Sequence, residues 1–356
     1  MTKLEKFRAA LAEKGIDAAL IYNEINQRYL SDFAFSDGLL VITKDRAELI
    51  TDFRYIEAAK NEANKAFNFV MPEKRNDYIN EVLASSGAKT VGFEGSFVSY
   101  EKYRSLCDTF SAYEFVNLGD MIETIRQIKS PEEILLMQKA QDIADNAFSH
   151  VLEVLTPNMT EIDVAAEIEY AMRKNGAEGV AFDTIAVSGD ASAVPHGTPR
   201  NVKLKRGFLT MDFGAKFDGY LSDMTRTVVI GRADDDMKKL YNTVLKAQLA
   251  ALDFLREGQN CAEADKVARD IIDSYPEYKG TFGHSLGHSI GLVCHEKPGL
   301  SRIWGSHSMR VGEIYSVEPG IYLFGKYGCR IEDMVAIEKS GVYNFTHSTK
   351  DLIEIL

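Results

Sequence analysis

Four acidic residues stand where an apolar strand pattern asks for burial. Asp212 and Asp223 lie in GFLTMDFGAKFDGYLSDMTRTVVIG, Glu318 in IYSVEPGIYLF and Glu332 in YGCRIEDMVAI. A buried carboxylate is costly unless cations or hydrogen-bond donors compensate it. Each acid alone admits a plain structural reading: two solvated aspartates on an exposed hairpin, or an ion pair of Glu332 with Arg330 on the same strand face. Together the four carry the charge of two divalent ions. With one imidazole added, such an oxygen and nitrogen set suits Mn²⁺, Co²⁺, Zn²⁺ or Fe²⁺ better than Ca²⁺. Paired ions about 3.5–4 Å apart activate water and polarise a carbonyl, so the expected chemistry is metal-assisted hydrolysis of an amide.

The elements that must position these acids can be read next. Asp218-Gly219 is a dipeptide that tolerates the positive φ of a two-residue hairpin turn. With that turn, Phe217 faces Tyr220, Asp212 faces Thr225, and Asp223 faces Gly214. Alternation of side chains then puts both aspartates on one face as diagonal neighbours, roughly 7–8 Å apart at Cα. Histidines cluster downstream. His284, His288 and His295 lie within GHSLGHSIGLVCHEKPG, and His196 lies in SGDASAVPHGTP. Gly283, Gly287 and Gly291 recur every four residues, a spacing that suits close backbone approach. Any one of these histidines alone is as readily structural as functional.

The bulk properties narrow the class. A chain of 356 residues suggests two domains. A hydrophobic share of 45% fits a sizeable core, and a net charge of −12 disfavours nucleic acid or an anionic membrane as partner. Residues 1–15 read as an amphipathic helix without the apolar core of a signal peptide, and no apolar run approaches about 18 residues. A cytoplasmic location is expected. Cys107, Cys261, Cys294 and Cys329 are scattered without metal-ligand spacing and read as reduced thiols.

Residues 1–125 alternate helix and strand, an α/β pattern. Thr2-x-x-Glu5 opens a helix as a capping box. Strands are expected near 16–22, 67–71 and 90–93, a hairpin over 38–43 and 47–51, and helices near 53–62, 77–84 and 100–109. No chemical constellation stands out there, and Arg54 and Tyr55 read as surface or interface residues. Between about 120 and 130 the pattern changes. Ser130-Pro131-Glu132-Glu133 is a helix start, with Ser at the N-cap and Pro at the first helical position. That helix should run to about 155, and Thr160-x-x-Asp163 caps another to 174. Two further helices are expected over 234–256 and 262–274. The remainder is strand and glycine-rich loop, so the second half is α+β, a mainly antiparallel sheet flanked by helices.

DFGAKFDGYLSDMTRT, GHSLGHSIGLVCHE, SVEPGIY and RIED, in that order, resemble the signatures of the Xaa-Pro peptidases. These belong to the pita-bread metallopeptidases, with aminopeptidase P, prolidase, methionine aminopeptidase and the metal-free creatinase. SGDASAVPHGTP resembles another segment of the family. The resemblance implies a creatinase-like N-terminal domain over 1–125 and a pita-bread catalytic domain over 126–356. It implies two divalent ions, Mn²⁺ first, with Co²⁺, Zn²⁺ and Fe²⁺ as alternatives. Asp212 would hold one ion, Asp223 and Glu332 would bridge both, and His288 and Glu318 would complete the second. A bridging hydroxide would be the nucleophile and Glu318 the proton shuttle. His196 and His295 would line the substrate pocket and stabilise the tetrahedral intermediate, His284 would stand near the proline subsite, and Arg330 would orient Glu332. Proline-containing peptides are the substrates so implied, and a homodimer the assembly.

Two departures from the family pattern matter. Val293 stands where the family usually carries an acid, two residues before His295, and Cys294 follows it. Gly299 follows His295-Glu296-Lys297-Pro298 where some prolidases place an arginine for a dipeptide's carboxylate. The second departure favours an aminopeptidase acting on longer Xaa-Pro peptides, with an Xaa-Pro dipeptidase (prolidase) as the alternative. Lys297 or Arg302 could replace the missing arginine. More remote are a metal-free creatinase-like hydrolase, which the five retained ligands oppose, and an inactive peptide-binding module.

Overall fold

The structure, a computed structural model, describes all 356 residues. The chain divides into two units, Met1–Ile125 and Arg126–Leu356.

The first unit is built on one six-stranded sheet. Its strands run in the order Asn68–Val70, Ala47–Ile50, Leu39–Thr43, Ala18–Ile21, Thr90–Phe93, Glu114–Asn117. Leu39–Thr43 is antiparallel to both of its neighbours, and the other pairs are parallel. Leu20, Val41 and Val91 pack with Ile79, Val82 and Leu83 of the helix Arg75–Ser85, and with Leu106 of the helix Tyr100–Thr109. The helix Lys3–Glu13 opens with the expected capping box of Thr2 and Glu5. Three elements escape the sequence pattern, one of them the short helix Met121–Arg126 that closes the unit. The helix Glu24–Ser31 buries the polar Asn26 and Gln27 beside Tyr29 and Leu30, so its inward face is only partly apolar. The strand Glu114–Asn117 lies on the sheet edge and is partly exposed. Arg54 is on the surface, paired with Asp37 and Asp52.

The second unit places helix pairs on both faces of a strand pair. Gly207–Phe213 and Met224–Ile230 are antiparallel neighbours, flanked by Ile185–Ser188 and by the short parallel strand Glu354–Ile355. Leu209, Met211 and Phe213 point to one side, against Ala144, Ala147 and Val151 of Pro131–Val154 and Val164 and Ile168 of Glu161–Lys174. Phe208 and Val229 point to the other, against Val244 and Ala247 of Asp235–Phe254 and Ala264 and Ala268 of Cys261–Asp273. This is the period-two alternation of a strand buried on both faces. Burying one such leucine or valine stabilises the fold by roughly 2 kcal/mol relative to exposure. Ser130 and Thr160 cap their helices as expected, and each closes a capping box, with Glu133 and Asp163 respectively.

A five-stranded antiparallel sheet completes the unit. Its order is Glu296–Leu300, Gly287–Ser289, Ile314–Val317, Asp333–Glu338, Gly341–Asn344. It meets the strand Met224–Ile230 through the bridge of Thr225 with Glu332, the residue just before Asp333–Glu338, and through the ion pair of Arg226 with Asp333. A separate hairpin pairs Gly320–Leu323 with Tyr327–Arg330.

Candidate metal centre

The hairpin register places the first acid. Asp218 and Gly219 both have positive φ, 44° and 79°, as a primed two-residue turn requires. Phe217 pairs with Tyr220, and Asp212 with Thr225. Between these pairs the ladder lapses. The Ser222 N–H still donates to the Ala215 carbonyl, but the return bond from the Ala215 N–H goes to the Ser222 hydroxyl, which itself donates to the Ala140 carbonyl. The register is the same on both sides of the lapse, so Asp223 stands level with Gly214 as the turn predicts, although the two are not paired in the ladder. Asp223 sits in the gap before Met224–Ile230, almost completely buried.

The bridge between the sheets adds the fourth acid. Thr225 lies opposite Asp212 on one side and Glu332 on the other. The three side chains form a row across adjacent strands. The Thr225 hydroxyl donates to Glu332 Oε2 at 2.6 Å.

The histidines come from the strand Gly287–Ser289 and its flanks. Gly287 is where the backbones press closest, since a Cβ there would lie 1.9 Å from the Ser316 carbonyl oxygen. That contact seats His288 beside Glu318, which follows Ile314–Val317. His288 Nδ1 faces the Ser289 carbonyl at 3.2 Å, which assigns the ring proton to Nδ1. The free Nε2 lies 3.5 Å from both Asp223 Oδ2 and Glu318 Oε1. Burial, aided by the nearby His295, lowers the His288 pKa to about 4, so the ring is a neutral donor.

The acids are crowded and undercompensated. Four carboxylates share the site with one guanidinium, that of Arg330. Burial, then the charges of Asp212 and Glu318, holds the Asp223 carboxyl well above its usual range. Burial, then Asp223, Glu318 and Asp212, does the same to Glu332. Glu318 is pushed up to about 8 by burial and Asp212, against the opposing pull of Arg330. Asp212 Oδ1 and Glu332 Oε1 are buried with no hydrogen-bond partner. Orphaned oxygens of this kind call for a cation. Asp223, His288 and Glu332 offer ligand atoms within 4.8 Å of one another, as do His288, Cys294 and His295. The donors present fit a pair of divalent ions.

Arg330 does not do what the spacing suggested. It makes no ion pair with Glu332. Its Nη2 hydrogen-bonds to Asp212 Oδ2, its Nε donates to the Thr225 hydroxyl, and its Nη1 donates to the Tyr322 hydroxyl at 2.8 Å. It therefore orients Asp212 directly and reaches Glu332 only through Thr225. Tyr322 links it in turn to His284 Nε2 at 2.9 Å. The pKa of His284 is lowered to about 4 by burial and by Arg330. Its neutral ring gives Nδ1–H to the Ser285 carbonyl and accepts the Tyr322 O–H at Nε2.

All nine candidate residues line one cavity of about 460 Å³ within the second unit. Asp212, Asp223, His288, Glu318 and Glu332 form its floor, with Arg330 behind them. His196, His284 and His295 stand on its walls, and His196 and His295 are exposed to it. Lys297 and Arg302 are not on the lining. Arg302 lies instead 4.0 Å from Asp265.

Sequence reading missed four further residues. Thr225 and Tyr322 relay hydrogen bonds between the acids, Arg330 and His284. Thr225 was within reach of the register argument, being the residue opposite Asp212. Cys294, read as a scattered thiol, has its Sγ 3.6 Å from Asp223 Oδ2. Glu296 anchors the loop that carries Cys294 and His295. Its carboxylate takes hydrogen bonds from Arg126, Lys129 and the N–H groups of Leu292 and Val293. No local spacing could have shown these two.

Comparison with known proteins agrees with this geometry. Residues 135–339 match Metallopeptidase family M24, and residues 3–128 match the Creatinase/Prolidase N-terminal domain. The chain is 36% identical over 353 residues to a Pyrococcus furiosus protein named Xaa-Pro dipeptidase, covering 99% of both. Among solved structures, an Xaa-Pro dipeptidase from Bacillus anthracis aligns with a TM-score of 0.94 at 39% identity, covering 99% of both chains. An X-Pro aminopeptidase from Thermotoga maritima aligns with a TM-score of 0.92 at 35% identity, covering 98% of this chain and 100% of its own. With its buried carboxylate row, its neutral His288 and its two-unit architecture, the chain belongs to the M24 metallopeptidases of the Xaa-Pro peptidase type, with a creatinase-type N-terminal domain and a pita-bread catalytic domain.

Proposed function

We propose that the chain is an Xaa-Pro dipeptidase, hydrolysing the bond before proline in a dipeptide. The observation that carries the hydrolytic reading is the row of buried, unpaired carboxylate oxygens opening into a cavity walled by three histidines. The dipeptide preference is supported by the similar proteins named dipeptidases, which favour it over the aminopeptidase expected from Gly299.

Asp212, Asp223, His288, Glu318 and Glu332 would hold two divalent ions. Bound there, the ions supply a Lewis acid for the scissile carbonyl and lower the pKa of water. The chain's own groups do the rest. Glu318, whose Oε1 is 3.1 Å from the Ser316 hydroxyl, takes a proton at Oε1 and returns it to the departing proline nitrogen. His196 and His295 present ring N–H groups to the charge that develops on the carbonyl oxygen. His284, fixed between Ser285 and Tyr322, shapes the wall for the proline ring.

One observation favours the aminopeptidase reading. The only cationic side chain of fixed charge on the lining is Arg330, and it is committed to Asp212. No lysine is there to receive a dipeptide's carboxylate. The test is direct. Protein loaded with Mn²⁺ or Co²⁺ is given Ala-Pro and Ala-Pro-Ala, with and without chelator. Proline release from the dipeptide at least about tenfold faster than cleavage of the tripeptide is expected. The reverse order assigns the aminopeptidase, and activity that survives chelation removes the mechanism.

A further inference from the structure

Three of the four thiols have quiet surroundings. Cys261 and Cys329 are buried in the core beside the helix pair, and Cys107 lies in the first unit. Cys294 alone lines the cavity. Its Sγ shares a 4.8 Å sphere with the ligand nitrogens of His288 and His295. It lies 3.6 Å from Asp223 Oδ2, the oxygen that is also 3.5 Å from His288 Nε2.

These separations can be compared with those around an ion. Tetrahedral zinc stands about 2.1 Å from nitrogen or oxygen and about 2.3 Å from sulfur, which puts N and O roughly 3.4 Å apart and S and O roughly 3.6 Å apart. The two edges that meet at Asp223 Oδ2, to His288 Nε2 and to Cys294 Sγ, thus already match those of a tetrahedral site. A second observation is independent of the thiol. The same cavity holds the buried, partnerless oxygens Asp212 Oδ1 and Glu332 Oε1, which ask for positive charge.

We propose that Cys294 is an additional metal ligand, binding through Sγ the ion that Asp223 and His288 hold, and that its sulfur biases this position toward Zn²⁺, Co²⁺ or Fe²⁺ over Mn²⁺. The inference rests on the dinuclear reading of the site but not on the choice of peptide. The thiol proton leaves to solvent as the ion binds, so sulfur coordinates as thiolate. Thiolate is a soft donor, and one sulfur added to the His288 nitrogen and the carboxylates around this ion moves the shell away from the all-hard set that suits Mn²⁺. Val293, beside it, offers no competing carboxylate.

The experiment is absorption spectroscopy of the full chain, stripped of metal and titrated with Co²⁺. Visible ligand-field bands report that cobalt is bound. A near-ultraviolet sulfur-to-cobalt charge-transfer band reports a thiolate on it. Both sets of bands are expected in the wild type. Cys294→Val and Cys294→Ser should lose the near-ultraviolet band and keep the visible ones, while Cys107→Ser keeps both. Competition between Co²⁺ and Mn²⁺ should shift toward Mn²⁺ by about tenfold in Cys294→Val, within the range that donors around a metal command. Visible bands without the near-ultraviolet band in the wild type overturn the proposal, because a thiol that only hydrogen-bonds to Asp223 gives none. Survival of that band in Cys294→Val overturns it as well. Absence of any cobalt spectrum overturns both this inference and the metal-centre reading on which it rests.

Discussion

Glu332 and Asp333 are neighbours in the chain, yet they enter regions that treat a buried carboxylate in opposite ways. Asp333 receives Arg226 at Oδ1 and Gln248, Asn344 and Lys350 at Oδ2. Burial works against its charge, but Arg226 and Lys350 outweigh it and hold its pKa below the ordinary value. Glu332 receives one hydroxyl, keeps one orphaned oxygen, and has its pKa driven up. The chain spends its own cations on the acid that ties strands together. It withholds them from the acid that faces the cavity. A charge deficit at one of two adjacent positions is therefore selective, and it marks where an external cation belongs.

The sharpest way to break this comparison is to neutralise each acid in turn. Glu332→Gln should lower kcat/KM by roughly 10³-fold or more while leaving the metal-free protein at least as stable as the wild type. Steady-state kinetics and denaturant unfolding in chelator check the two halves. If Glu332→Gln unfolds like a core mutant, the site is structural and the contrast fails.

Next in size is the other side of the pair. Arg226 is buried and also donates to the Thr225 and Glu332 carbonyls. Arg226→Met strands Asp333 with its remaining partners and should cost about 3–5 kcal/mol of stability in urea unfolding.

The two regions should also differ in the sign of their pH dependence. An acid whose folded pKa is lowered contributes stability that is present above its unfolded pKa and lost as pH falls through the folded value, so Asp333 stabilises at neutral pH. An acid whose folded pKa is raised does the reverse. Glu318, pushed to about 8, should make the chelated protein lose stability between about pH 5 and pH 8. Saturating metal should flatten that slope. Unfolding midpoints across this range, with and without metal, would show a single common slope if the comparison is wrong.

The smallest effect is a control far from either acid. Ser130→Ala removes one side of a capping box and should cost about 1 kcal/mol with no change in KM.

Much of this arrangement is legible in the sequence, for reasons that differ from residue to residue. Asp218-Gly219 dictates the turn, the turn dictates the register, and the register predicts that Asp212 faces Thr225. Ser130 and Thr160 announce their helices because caps act within four residues. The four misplaced acids betray themselves by sitting among apolar neighbours. What escapes is set by contacts between distant segments. Arg330 is two residues from Glu332, so spacing suggested that pair, but the hairpin 320–330 turns its guanidinium to Asp212. Cys294 and Glu296 matter through residues 71 and 170 positions away. The helix Glu24–Ser31 is held by capping from Asn23 and by buried amides, which hydrophobic periodicity does not register.

The grip of Glu296 on Arg126 and Lys129 has a consequence for any attempt to work with the second unit alone. Both cations lie within the first four residues of that unit, ahead of its first long helix. A fragment beginning at Ser130 would leave behind two of the four partners of a deeply buried anion, and the segment bearing Cys294 and His295 would lose its tether. A fragment beginning at or before Arg126 would keep it. A difference of four residues at the severed end would thus be felt at the stretch of cavity lining that carries Cys294 and His295.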